Sequence, residues 1–327
     1  MKKSVFKQKG QDGYKFFRIP GLVCTSSGKL LAYYECRRDI SDWAIIDIAV
    51  KTSMDGGENW SKDQILVCGN GKTVNNPVMF ADESEILFMW QEEYHRTFYR
   101  KSYDEGENWG EVIEITESLR TPDYDWTVIA CGPGHGTVLS NGRYIVPIWM
   151  CSNFEDLKSH HPSVISTIYS DDKGKTWKIG EIIGRDLLVN PSETALVELA
   201  DGQVIINIRH ESSVKRRGIA YSSDRGEHWG KPYFENALPD PVCMGSMVAH
   251  NDLVYFTNCN SENARVNLTL YVTSDNGKFW GKLADISEIG GYSDVAVSPD
   301  GKQVYILYEE FSSQVSNLMF VNYRVEG

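Results

Sequence analysis

Apolar residues in this chain come in short runs, alternating with polar residues or continuous, and small turn residues break them at close intervals. Six stretches share one layout, an apolar run, a polar turn and a second apolar run. They are LVCTSSGKLLAYYE (22–35), VMFADESEILFMWQ (78–91), TVLSNGRYIVPIW (137–149), ALVELADGQVIINIR (195–209), MVAHNDLVYFTN (247–258) and VAVSPDGKQVYILYE (295–309). Their β-branched and aromatic content and their length predict β-hairpins. No long stretch carries a helical period.

A second pattern interleaves with the first. The octet S/T-x-D-x-G-x-x-W occurs as SMDGGENW (53–60), SYDEGENW (102–109), SDDKGKTW (170–177), SSDRGEHW (222–229) and TSDNGKFW (273–280). Its aspartates stand at 55, 104, 172, 224 and 275, so the spacings are 49, 68, 52 and 51 residues. Each octet suits a turn: the carboxylate accepts turn amides, the glycine takes positive φ, and the tryptophan packs under a neighbouring strand. A structural role for these aspartates follows. A repeat of about 50 residues with two hairpin signals describes a four-stranded propeller blade. The expected fold is all-β, a six-bladed β-propeller with Asp-box turns, forming one domain over residues 1–327. The sixth hairpin has no box. SNLMFVNYRV (316–325) is expected as the third strand of the last blade, with the N-terminal KSVFKQ (3–8) closing the ring and removing free sheet edges.

Composition narrows the functional class. Apolar residues make up 41% and charged residues 24%, which is ordinary for a globular protein, and nine tryptophans are accounted for largely by the boxes. The formal charge of −12 and the absence of a basic run longer than VKRRG (214–218) argue against nucleic-acid or anionic-membrane partners. No 18-residue apolar run is present. Seven scattered cysteines without C-x-x-C spacing suit reduced thiols, and the first 15 residues do not read as a secretory signal, so a cytoplasmic location is expected.

An anionic substrate remains compatible with an acidic protein if a few arginines converge. Loops at the ends of inner strands meet near a propeller's axis, and three arginines occupy comparable ends: Arg18 in YKFFRIPGL, Arg209 in INIRHE and Arg265 in SENARVNLTL. Arginine binds carboxylates bidentately. Glu35, Arg37, Arg38, Asp39 and Asp42 crowd the end of the first hairpin in YYECRRDISDW. Glu193 and Arg209 flank paired strands of the fourth blade, where a plain salt bridge is the competing reading. Tyr292 follows two glycines in GGYSD.

Taken together, FFRIPG (16–21), ECRRDISDW (35–43), GPGHG (132–136), SETALVEL (192–199), NIR (207–209), RVNLTL (265–270) and GYSD (291–294) resemble the exo-α-sialidase family with Asp-box (BNR) repeats, in the family's order along the whole chain. The resemblance implies a retaining glycoside hydrolase that releases terminal α-linked sialic acid from oligosaccharides or glycoconjugates. By it, Arg18, Arg209 and Arg265 grip the substrate carboxylate and Arg37 also contacts substrate. Asp42 becomes the acid/base, with Asp39 as its nearest competitor. Glu193 becomes the base for the nucleophile Tyr292. No metal and no cofactor are called for. A phenol suits a sugar that carries its own carboxylate at the anomeric carbon, because it arrives neutral where a carboxylate nucleophile would be repelled. Its intrinsic weakness, with an unperturbed pKa of about 10, requires a neighbouring base.

Trp43 stands beside the proposed acid, either narrowing the pocket or packing beneath it. His135, His160 and His161 read as loop-shaping residues. The alternatives are a non-catalytic sialic-acid-binding propeller, an intramolecular trans-sialidase and a Kdn-preferring variant.

Overall fold

The computed structural model describes residues 1–83, 85–312 and 316–325. Six sheets, antiparallel apart from one short pairing in the second, follow one another around a ring, and the described helices are two short 3-10 turns. Blade one comprises strands Phe16–Cys24, Leu30–Arg37, Ile46–Ser53 and Gln64–Val67 from the inside outward. Blades four and five repeat this order from Thr194–Glu198 and Ser246–His250 as inner strands. All six expected hairpins form.

The sixth blade has Ser293–Val297 innermost, then Gln303–Phe311 and Ser316–Arg324. Its outermost strand is Lys2–Gln8, paired antiparallel with Ser316–Arg324, so the first and last strands of the chain close the ring. The expected closing strand is thus in place. Phe6, Leu307 and Phe320 of this blade and Phe17 of blade one pack in a common core.

Blade three departs from the expected regularity. Its inner strand is broken into Val128–Cys131 and Thr137–Val138, and the intervening Gly134–His135 pairs in parallel with Val78–Met79 of blade two. The glycine- and proline-rich GPGHG segment cannot sustain a regular ladder, and it crosses the axis instead. There His135 meets Asp294: Nδ1 lies 2.7 Å from Asp294 Oδ1, and Nε2 lies 2.8 Å from the Met247 carbonyl oxygen. Both ring nitrogens face acceptors, an arrangement that favours the doubly protonated ring. Burial opposes that charge, and Asp294 outweighs it, raising the imidazole pKa above 6.5. Asp294 also accepts the Leu22 amide at 2.7 Å and the Ser246 hydroxyl, which joins blades one, five and six through one buried carboxylate.

The five boxes behave as turn hardware. In the first, Asp55 Oδ1 accepts the Ser53 hydroxyl at 2.8 Å and the Asn59 amide at 2.9 Å, while Gly57 N donates to Ser53 Oγ at 2.9 Å. These bonds hold the Asp55 carboxyl down at about 2, the Asn59 amide and side chain contributing most. Gly57 has φ +85°, and a Cβ there would stand 2.1 Å from the Phe320 ring of blade six, so both dihedral and space demand glycine. Ser53 pairs with Leu30, whereas Arg37 pairs with Ile46 at the other end of the same strands. The boxes therefore lie on the face away from the arginines.

Candidate active site

Arg18 owes its aim to a bulge. The pairing of the first two strands slips between Arg18 and Gly21, and Ile19 takes φ +54° ahead of Pro20. The residue before a proline is steered out of the right-handed helical region, and an extra residue re-aims its neighbour. Blade two repeats the device at Asn75–Val78, with Asn76 at φ +48° ahead of Pro77. Such left-handed backbone at a β-branched residue costs about 1–3 kcal/mol and persists where the surroundings enforce it.

Glu309 enforces it here. Its carboxylate accepts Arg18 Nε at 3.1 Å, Arg18 Nη2 at 3.2 Å and the Ile19 amide at 3.0 Å. It also accepts the Tyr292 amide at 3.4 Å, and the Glu309 amide returns a bond to the Tyr292 carbonyl at 2.8 Å. One glutamate of blade six thereby fixes an arginine of blade one and the loop carrying Tyr292. Gly291 makes this packing possible: a Cβ would stand 2.7 Å from Glu309 Cβ, so the glycine supplies room.

Tyr292 is buried at the floor of a cavity of about 220 Å³. Its hydroxyl donates to Glu193 Oε1 and accepts from Arg209 Nη1 at 3.1 Å. Arg209 also forms an ion pair with Glu193. The plain salt bridge weighed from sequence is thus present, with the tyrosine hydroxyl as its third member. Guanidinium carbons of Arg18 and Arg265 lie 5.4 and 5.1 Å from the Tyr292 ring centroid. Arg265 Nη2 donates to the Val242 carbonyl at 3.2 Å. Arg18, Arg209, Arg265, Asp42, Glu193 and Tyr292 all line this one cavity.

Asp42 is held by Arg37, whose Nη1 reaches Asp42 Oδ1 at 2.7 Å, and more loosely by Arg18 at 3.9 Å. Burial pulls the Asp42 pKa up, but Arg37 and then Arg18 outweigh it and hold the carboxyl below the usual aspartate range. Arg37 itself has no exposed surface and is absent from the cavity lining; its Nε donates to Glu35 Oε2 at 2.6 Å, and Glu35 Oε1 takes the Asn76 amide at 2.8 Å. In this arrangement Arg37 touches the acid rather than the open cavity. Asp39 turns away: it is exposed and caps its own turn by accepting the Ile40 amide at 2.8 Å.

Sequence reasoning did not place Tyr94 or Trp149 in the site and read His160 and His161 as loop-shaping; all four line the cavity, with Tyr94, Trp149 and His160 forming its opposite wall. The His160 ring centroid lies 4.9 Å from that of Tyr94 and 5.0 Å from that of Trp149. Burial lowers the His160 pKa, and its Nε2 has no hydrogen-bond partner among the described residues. Tyr94 sits at φ +53° after Glu93 at φ +52°, a tight hairpin that drives its ring inward. Trp43 backs this wall, 5.0 Å from Tyr94, and lies outside the cavity. His135 belongs to the axial hub beneath the site.

Glu309 had a legible signal, a charge inside an apolar strand, which must be paired when buried. Tyr94 and Trp149 had none.

Residues 28–306 match the family described as BNR repeat-like domain. A sialidase from Bacteroides fragilis is 28% identical over 95% of this chain and 62% of its own length. One from Micromonospora viridifaciens is 27% identical over 92% of this chain and 50% of its own. The chain therefore spans between half and two-thirds of these curated relatives. Among solved structures, a Hadza microbial sialidase aligns with a TM-score of 0.84 at 24% identity, over 99% of this chain and 68% of that one. The intramolecular trans-sialidase of Ruminococcus gnavus gives 0.78 at 16% identity, over 99% and 97%. At these identities the structural likeness establishes the propeller. With the five boxes and a family match across most of its length, the chain belongs to the BNR repeat-like domain family, and its curated relatives are sialidases.

Proposed function

We propose that the protein is a retaining exo-sialidase acting through a tyrosine-linked glycosyl intermediate. The observation that carries this reading is the Tyr292–Glu193 hydrogen bond at the floor of a cavity also lined by three arginines. A module that only bound the acidic sugar would need the arginines and would have no use for a base on the phenol.

Arg18, Arg209 and Arg265 take the substrate carboxylate and orient the ring. Tyr292 attacks the anomeric carbon as its proton passes to Glu193, and Asp42 gives a proton to the departing oxygen. A second step reverses the roles: Asp42 takes a proton from water, the water displaces Tyr292, and the phenol recovers its proton. Two inversions give net retention. The arginines hold the substrate carboxylate in a fixed place, so its orientation needs no reorganisation as the reaction proceeds.

The lowered pKa of Asp42 in the free protein poses a question for its role as acid, and its contact with Arg18 supports an answer. Arg18 is, after Arg37, one of the groups holding that carboxyl down. When the substrate carboxylate engages Arg18, the stabilisation of ionised Asp42 weakens and its pKa rises on binding. Proton uptake thus accompanies formation of the complex.

The test is release of sialic acid from a fluorogenic α-sialoside, with proton NMR of the first-formed product. The α anomer should appear first. Tyr292→Phe should keep sugar binding and lose turnover; full activity in that variant, or no release by wild type between pH 4 and 8, would overturn the assignment.

A further inference from the structure

The three arginines of the clamp are not held alike. Arg18 is paired with Glu309 and Arg209 with Glu193, whereas Arg265 has no carboxylate within ion-pair distance among the described residues. Its guanidinium instead touches the Val242 carbonyl, which takes Nη2 at 3.2 Å, and the face of the Tyr292 ring. The aim of the third arginine therefore depends on where one backbone carbonyl points.

That carbonyl belongs to a strained residue. Val242 sits at φ +62° in the segment DPVC (240–243), and a β-branched residue takes left-handed backbone only where its surroundings impose it. The imposition comes from Arg217, on the strand Arg216–Ser222 of blade four, whose side chain has no exposed surface. Its Nη1 donates to the Cys243 carbonyl at 2.7 Å and lies 3.4 Å from Asp240 Oδ2. Its Nε donates to Asn207 Oδ1 at 2.5 Å, and Nη2 to the Asn207 carbonyl at 3.3 Å. Asp240 Oδ1 then accepts the Cys243 amide at 3.0 Å. The Cys243 N–H and the Val242 C=O belong to one planar trans peptide group, so turning the N–H to Asp240 turns the C=O the opposite way, toward Arg265.

We propose that Arg217 is a positioning residue for the substrate carboxylate: with Asp240 it fixes the peptide plane between Val242 and Cys243, and that plane aims Arg265 into the cavity. The inference rests on the sialoside-cleaving reading above. Arginine suits the task because its rigid fork reaches Asn207, Asp240 and the Cys243 carbonyl together, whereas a lysine ammonium is a point charge that cannot span them. A buried ion pair is weak evidence of stabilisation in itself. Here its geometry supplies what Glu309 supplies to Arg18, through a backbone carbonyl in place of a carboxylate.

Arg217→Lys tests this, since it keeps the charge beside Asp240 and loses the fork. Cys243 and Met244 pack with Ile19 and Tyr292, so turnover alone would mix two effects. The readout is instead affinity for the 2,3-unsaturated derivative of sialic acid, by calorimetric titration, in a cycle with Arg265→Ala. Arg217→Lys should weaken binding about tenfold when Arg265 is present, equivalent to ~1.4 kcal/mol, and by less than about twofold when it is absent. Equal losses in both backgrounds, or no loss in either, overturn the role. If the lysine variant does not fold, Asn207→Ala, which removes the Nε acceptor and keeps the ion pair, enters the same cycle and is judged by the same comparison. Wild type that binds the ligand but cleaves no α-sialoside overturns the hydrolytic reading alone, and the cycle still decides the role of Arg217. If wild type does not bind the ligand, the sialoside reading falls and crystal structures decide. Arg265 leaving the Val242 carbonyl in the variant while Arg18 stays on Glu309 sustains the role; an unmoved Arg265 overturns it.

Discussion

Replacing Glu309 with glutamine would test whether the active site is held open by a buried ion pair across the ring closure. Glutamine keeps the shape and one oxygen, which can still accept Arg18 Nε and the Ile19 amide. The other oxygen becomes an NH2 group facing Arg18 Nη2 and the Tyr292 amide, so two of the bonds Glu309 accepts turn into donor–donor contacts. Breaking a buried pair by removing one partner costs about 3–5 kcal/mol. Asp42, 3.9 Å from Arg18, supplies some compensating charge, which places the expected loss near the lower end, about 3 kcal/mol. Spread over the unfolding entropy of a chain of this size, that loss lowers Tm by about 4 °C. Calorimetry at neutral pH measures it. In activity, a carboxylate clamp with a misdirected Arg18 should lose about 10- to 100-fold in kcat/KM, chiefly through KM. A variant that melts within a degree of wild type and binds sialic acid equally well would refute the claim that Glu309 sets Arg18.

Two further outcomes follow from the same geometry. Asp42→Asn should cut cleavage of sialyl-oligosaccharides by roughly 100-fold or more, because their leaving groups need the proton, while Asp39→Asn should stay near wild type; steady-state kinetics on both variants reverses the assignment if the order is inverted. His135 has a pKa raised above 6.5 by Asp294, so its contribution to stability is fully present below about 6.5 and is lost as pH rises through the folded-state value. Melting temperature should therefore fall on the alkaline side, and His135→Gln should flatten that dependence; an unchanged slope in the variant would remove the axial cation from the account.

The propeller was legible because its signals are local. A turn octet and a hairpin pattern each depend on residues close in sequence, and their repetition announces the blades. Closure by residues 3–8 was legible for a related reason, since the last blade lacked a strand and the first segment was extended and unassigned. The broken third blade was not, because GPGHG pairs with blade two through Val78, more than fifty residues earlier. Among candidate site residues, Arg18, Arg209, Arg265, Asp42, Glu193 and Tyr292 sit at strand ends, where the blade pattern makes their convergence readable. Arg37 lies at such an end too, yet its side chain turns inward to Glu35, a choice made by burial and invisible to spacing. The Tyr94–Trp149–His160 wall combines two loop residues with Trp149 of the strand Tyr144–Cys151, from two blades, and its aromatic residues resemble core residues in sequence.

The seam of the ring passes through the active site. Arg18 comes from the first blade to be synthesised and Glu309 from the last, and the strand that locks them together, Lys2–Gln8, is held by Ser316–Arg324. During synthesis the first five blades can assemble from local contacts as they emerge, but the carboxylate clamp stays incomplete until the sixth has docked on the first. Its longest-range pairing is also its slowest expected step. On the proposed function, a chain lacking the sixth blade would therefore display folded blades without turnover. The appearance of the proposed activity would then act as a clock for ring closure.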